Sequence, residues 1–133
     1  MTGAERIAAE RARQVSEEGY DAAHDDEHNG GEIAMAAACY AAPELIYVRD
    51  DRANQVNFTD PWPWHPRYDA RPHDGNVVTP EHATRAERIR LLEKAGALVA
   101  AEIDRLLRAP ADDNEDIARA ALTSSPGAGE GSK

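Results

Sequence analysis

Apolar positions spaced three and four apart, punctuated by glycine and proline, divide this chain into helical segments joined by polar connections. Residues 4–18 predict a first helix with Ile7, Ala8, Ala12 and Val15 on one side and Gly19 as its C-terminal stop. That stripe is thin, so the helix is expected to lie across the domain. Residues 20–31 read as a polar connection ending in Asn29-Gly30-Gly31. A second helix follows, with Asn29 as N-cap and Glu32 at the third position of a capping box. Its body, Ile33 to Ala42, is apolar all round and rich in small residues, the pattern of a buried helix that neighbours approach closely. Pro43 ends it.

The middle of the chain changes character. Leu45 to Val48 and Gln55 to Phe58 flank a polar turn, Asp50 to Asn54, which suits a short β-hairpin or an irregular extension of the second helix. Residues 60–80 hold five of the eight prolines and show no helical period. An ordered loop of that length is either functional or wrapped on the surface by its aromatics. The third helix carries the strongest pattern. Thr79-Pro80 offers a cap followed by proline, and Thr84 to Glu87 offers a second capping box. Ile89, Leu92, Gly96, Val99, Ile103 and Leu106 then form a stripe, with Gly96 expected to receive the backbone of the alanine-rich second helix. Pro110 closes the pattern, residues 113–122 suit a short exposed helix, and the tail from Thr123 has a disordered composition. The expected fold is mainly α: one small domain over residues 1–110 with three main helices, a long Pro/Trp-rich loop and a short β-hairpin.

Composition narrows the setting. Fifteen Lys and Arg against 25 Asp and Glu give a net charge of −10 over 133 residues. Nucleic-acid binders draw affinity from a basic footprint, which is lacking here. Arg6, Arg11 and Arg13 are interleaved with Glu5, Glu10, Glu17 and Glu18, the pattern of a solvated face. The single cysteine, Cys39, forms no internal disulfide and sits in an apolar run, consistent with a reducing compartment. No signal-peptide pattern and no long apolar span occurs, so a cytoplasmic location without a membrane partner is expected.

Three features carry candidate chemistry. His24-Asp25-Asp26-Glu27-His28, with Glu32 four residues on, is dense in metal-ligating side chains. On a helix His24, His28 and Glu32 share a face; from a loop Asp25 and Asp26 offer oxygens to Mg²⁺ or Mn²⁺. Caps and surface histidines account for the same residues without any site. Glu102 continues the apolar row Leu91, Ala95, Leu98 and needs a partner, for which Lys94, Arg6, Arg11 or a shared metal qualify. Asp60-Pro61-Trp62-Pro63-Trp64 holds both tryptophans, suited to stacking on a nucleobase, anchoring a protein, or lidding a core poor in bulk.

Several strings together carry a resemblance. Glu10-Arg11-Ala12-Arg13-Gln14, Glu18-Gly19-Tyr20, His24 to His28, Gly31-Glu32, Ala36 to Ala41, Trp62-Pro63-Trp64 and Lys94 to Leu98 through Ala101-Glu102-Ile103 resemble a family of small phage and prophage proteins. The resemblance implies a mobile element expressed in a bacterial cytoplasm and no assigned activity. A looser similarity runs to all-α nucleoside triphosphate pyrophosphohydrolases of the MazG type, which bind Mg²⁺ through acidic residues on packed helices. It implies ligand roles for Glu32, Glu102 and Asp104, although the paired-glutamate motif of that group is absent in clean form.

Beside a structural or dimerising helical accessory role, in which the cluster is only salt bridges and caps, two functional classes follow. One is an accessory binding module for a nucleotide or host protein, using Arg11, Glu18, Trp62 and Trp64. The other is a metal-dependent enzyme on a nucleotide, with His24, His28 and Lys94 in catalysis and Asp25, Asp26, Glu32 and Glu102 around a divalent cation. The small-residue helix faces suit an intramolecular contact or a homodimer equally.

Overall fold

The computed structural model describes residues 1–110. Its frame is four helices: α1 (Gly3–Glu18), α2 (Ala22–Glu27), α3 (Glu32–Ala41) and α4 (Arg85–Arg108). Two antiparallel ribbons separate α3 from α4 in sequence. In the first, β1 (Val48–Asp50) pairs with β2 (Asn57–Thr59); in the second, β3 (His73–Asp74) pairs with β4 (Val77–Val78). The mainly helical class is as expected, and the hairpin alternative for 44–58 is the one realised. The expected helix over 113–122 and the tail lie outside the described residues.

Local chemistry sets the helix ends. Thr2 and Glu5 form a reciprocal capping box on α1, which stops where Gly19 takes a left-handed φ of 73°. Thr84 and Glu87 cap α4 in the same way. Pro80 opens only a 3₁₀ turn, Pro80–His82, so α4 begins at the second of the two expected caps. Two expectations are corrected here. The stretch read as a plain connection contains α2, capped by Asp21, whose carboxylate accepts from the His24 N–H. Gly31 rather than Asn29 is the N-cap of α3, and Glu32 reaches back to the Gly30 N–H.

The core lies between α3 and α4. Ile33, Ala36, Ala37 and Tyr40 meet Leu91, Ala95, Leu98 and Ala101, with Trp62, Trp64 and Ala83 packed against them. Alanine on both helices brings the backbones close but supplies little apolar bulk. The aromatic rings make up that volume, so the tryptophans do lid the core.

The face of α4 that is buried is not the expected one. Leu91, Ala95, Leu98 and Ala101 point inward, while Leu92, Val99, Ile103 and Leu106 are exposed. Nor is α3 buried all round: Ala34, Met35, Ala38 and Ala41 face outward. Of these, Ala34, Ala38, Ala41, Leu92, Val99 and Ile103, with Ile7, line an apolar groove of about 550 Å³. Gly96 receives Ile7 of α1, not α3; a Cβ there would stand 2.5 Å from Ile7 Cδ1.

The docking of α1 departs furthest from expectation. Its buried residues are Glu10 and Gln14, while Val15 is exposed. The helix therefore meets α4 chiefly through ion pairs, with Ile7 at Gly96 as an apolar contact, rather than through the whole of the expected stripe. Among the described residues no helix is long and apolar enough to cross a membrane.

Candidate ligand pocket

The interface between α1 and α4 is organised by Glu10, which is 3% exposed. Arg13 binds both its oxygens at 2.8 Å, Arg90 approaches to 2.6 Å, and Lys94 stands 3.7 Å away. Burial pushes the Glu10 carboxyl upward, but the bonds from Arg13 and Arg90 outweigh it and hold the group at about 2. Gln14, one turn on, donates its amide to Glu10 Oε2 at 3.3 Å. A carboxylate only accepts, so this bond fixes which end of the amide is nitrogen and leaves Gln14 Oε1 buried without a donor. Lys94 is half-sunk beside them, and burial lowers its pKa.

A second buried ion pair shapes the next segment. Arg11 donates to the Tyr20 carbonyl and to Asp25 Oδ2, each at 3.0 Å, and Asp25 Oδ1 also meets His24 Nδ1 at 3.0 Å. Asp25 is 1% exposed, so its charge is tolerated because Arg11 and His24 occupy both oxygens. Arg11 thereby ties the turn after α1 to α2 and sets the positions of Tyr20 and His24. It serves as a brace, where a ligand contact was expected.

A third pair organises the Pro/Trp-rich loop. Arg71, 1% exposed, makes a forked contact with Asp69 and a 2.7 Å bond to Asp60, and its guanidinium lies 5.5 Å over the Trp62 ring. The Tyr40 hydroxyl, on α3, donates to the Tyr68 carbonyl and accepts from the Ala70 N–H. These contacts lay the loop against the core in one conformation.

The braced segments place an aromatic series side by side. Tyr20 stacks on His24 with centroids 4.5 Å apart and rings 14° from parallel. His24 meets His28 at 4.7 Å, and His28 meets the edge of Trp64 at 5.5 Å. With Glu18, His65 and Tyr68 they line a cavity of about 440 Å³, within the range of small-molecule sites. A narrower recess of about 50 Å³ shares Glu18, Tyr20, Trp64 and Tyr68 with it and is also lined by Gln14 and Lys94. The indole Nε1 of Trp64 is buried and unpartnered, like Gln14 Oε1. Glu18 is held by Arg13. Burial and the Glu18 charge push the Tyr20 hydroxyl up to about 12, so it remains a neutral donor.

The candidates divide accordingly. His24, His28, Glu18 and Trp64 line the main cavity, and Lys94 lines its recess. Trp62 is packed behind Trp64, 5.7 Å away, and acts as support. The proposed metal set does not converge. Asp25 is bound by Arg11, Asp26 by Arg108 at 2.8 Å, Glu102 by Arg105 at 2.7 Å, and Glu32 lies beside His28. Asp104 lies 3.9 Å from Arg11. Arg105 lies within electrostatic reach of Asp26 and Glu32 as well. Among the described residues no three His, Cys, Asp or Glu side chains are grouped to hold an ion. The carboxylates thus do not fit a resident divalent cation, nor the ligand roles implied by the pyrophosphohydrolase similarity.

The sequence pattern does not single out Gln14, Tyr20, His65 or Tyr68 as site residues. A signal for Gln14 exists, since Glu10, Gln14 and Glu18 recur every four residues on one face of α1. His65 and Tyr68 belong to a loop without a period and carry none. No family model, no curated protein and no solved structure matches this chain.

Proposed function

We propose that this protein is a small non-catalytic binding module, in the phage or prophage setting that its sequence resemblance implies, and that it takes a nucleotide-sized planar ligand in the aromatic cavity. The observation that carries this reading is the wall of Tyr20, His24, His28, Trp64 and Tyr68 around about 440 Å³. Flat rings stack favourably on such walls whatever their substituents, by about 1–3 kcal/mol per ring. The histidines contribute ring faces here. His24 Nδ1 already contacts Asp25, and His28 Nδ1 stands 3.4 Å from Glu32.

Support for binding over catalysis comes from the ionisable groups. Among the described residues Glu10, Asp25 and Asp69 are each ion-paired with an arginine, and these pairs brace the walls of the cavity. The test is tryptophan fluorescence during titration with nucleosides and nucleoside monophosphates, repeated on Trp64→Phe and His28→Ala. Saturable quenching by wild type, weakened about tenfold or more in both variants, supports the reading. Absence of any saturable response would remove it.

A further inference from the structure

The recess under the cavity has a polar pattern that the aromatic walls do not explain. Beside the Tyr20 hydroxyl and the Glu18 carboxylate, which line the main cavity as well, three groups there have hydrogen-bonding capacity left over. Trp64 Nε1 is a buried donor with no partner, and Gln14 Oε1 is a buried acceptor with no partner. The third is the Lys94 ammonium. Its one ion pair among the described residues is the 3.7 Å approach to Glu10, a carboxylate already bound by Arg13 and Arg90 at shorter range. Buried polar groups are nearly always paired, so their clustering in one recess that opens from a ligand-sized cavity calls for a partner. At about 50 Å³ the recess holds one or two waters or the edge of a ring, but not a ring.

The number and kind of these groups specify that edge. Two donors, one of them charged, serve an acceptor with two lone pairs, which is a carbonyl oxygen and not a ring nitrogen. The one buried and unpartnered acceptor, Gln14 Oε1, serves one N–H beside it. A carboxylate would leave Gln14 Oε1 facing another acceptor, and an organic cation would face Lys94. Resting on the binding reading above, we infer that the pocket selects planar heterocycles that carry a carbonyl adjacent to a ring N–H, the lactam edge shared by uracil, thymine, hypoxanthine and guanine. The ring lies among Tyr20, His24, His28, Trp64 and Tyr68, and the edge enters the recess. Adenine and cytosine, which offer a ring nitrogen beside an amino group, are disfavoured.

Calorimetric titration of the full chain with two probe pairs, uridine against 3-methyluridine and inosine against 1-methylinosine, tests this directly. N-methylation preserves the stacking face and removes the N–H. The expected result is that at least one unmethylated nucleoside binds about tenfold or more tightly than its methylated partner, and more tightly than adenosine or cytidine. Gln14→Leu should abolish that preference, and Lys94→Met should weaken the preferred nucleoside. The wild-type comparison stands even if either variant fails to fold. Equal binding of methylated and unmethylated probes would overturn the edge recognition and leave the aromatic pocket standing. Binding of none of the nucleosides would overturn both.

Discussion

Glu10 of α1 and Arg90 of α4 approach to 2.6 Å across the interface that seats α1 on the domain. The first helix is therefore docked by charge, with Arg13 and Lys94 completing the surround of one buried carboxylate. This contact also positions Gln14 at the recess of the pocket.

The same pair predicts an acid-sensitive step in stability. The folded Glu10 carboxyl is held at about 2, against an ordinary value of 4.5. Its contribution is complete above the unfolded value and is lost as pH falls from about 4.5 toward 2. Glu10→Gln should cost about 2 kcal/mol at neutral pH. The variant should also lose part of the acid slope in urea denaturation measured from pH 7 to 3. Parallel slopes for the two proteins would show that Glu10 titrates normally.

Arg71 is expected to resist replacement even by lysine. Its planar fork binds Asp69 through two nitrogens while reaching Asp60, a geometry an ammonium does not reproduce. Arg71→Lys should lower stability by about 2 kcal/mol, and Arg71→Met by more, since Asp69 is then left buried and unpaired. Because the guanidinium lies over Trp62, the fluorescence maximum should shift in both variants. An unchanged melting temperature and spectrum for the lysine variant would mean that charge alone suffices.

Gly96 and Ile7 should be energetically coupled. Alanine at position 96 gains about 1 kcal/mol of helix propensity but places its Cβ 2.5 Å from Ile7 Cδ1 and 2.7 Å from Cγ1. Overpacking of this kind costs about 1–3 kcal/mol, so Gly96→Ala should be a net loss of about 1 kcal/mol. In an Ile7→Ala background the same change should become stabilising. A double-mutant cycle without this change of sign would place the close approach elsewhere.

Divalent cations should leave the protein unaffected. Asp25, Asp26 and Glu102 each already face an arginine. Thermal melts with millimolar Mg²⁺ or Mn²⁺ should superimpose on those without. Asp25→Asn should be destabilised by about 2–3 kcal/mol through loss of its bond to Arg11. A saturable rise in melting temperature that vanishes in Asp25→Asn would instead return that residue to a metal site.

Much of the candidate site was visible in the sequence as residues without an arrangement. The His24–His28 segment and Trp62-Pro63-Trp64 stand out by composition, and both supply walls of the cavity. Their roles did not stand out. Asp25 and Glu102 resemble metal ligands until Arg11 and Arg105 are found beside them, and that proximity is a property of the packed chain.

Local sequence chemistry accounts for α1, α3 and α4 and most of their ends, whereas α2 and the Gly31 cap of α3 were not legible in it. Thr2, Gly19, Pro43 and Thr84 act on their own neighbourhoods, and the three-and-four spacing of apolar residues along α4 holds whatever packs against it. Tertiary structure decided which faces were used. Helix α4 carries two apolar rows of similar quality. The row with alanines at 95 and 101 is buried because α3 can approach its backbone closely, while the row with Val99 and Ile103 remains outside. Likewise α1 carries both an apolar stripe and a Glu10–Gln14 row, and the cations at positions 90 and 94 chose between them. Local periodicity is satisfied equally by either face. The choice depends on the shape and charge of a partner more than forty residues away along the chain, where helical spacing carries no information.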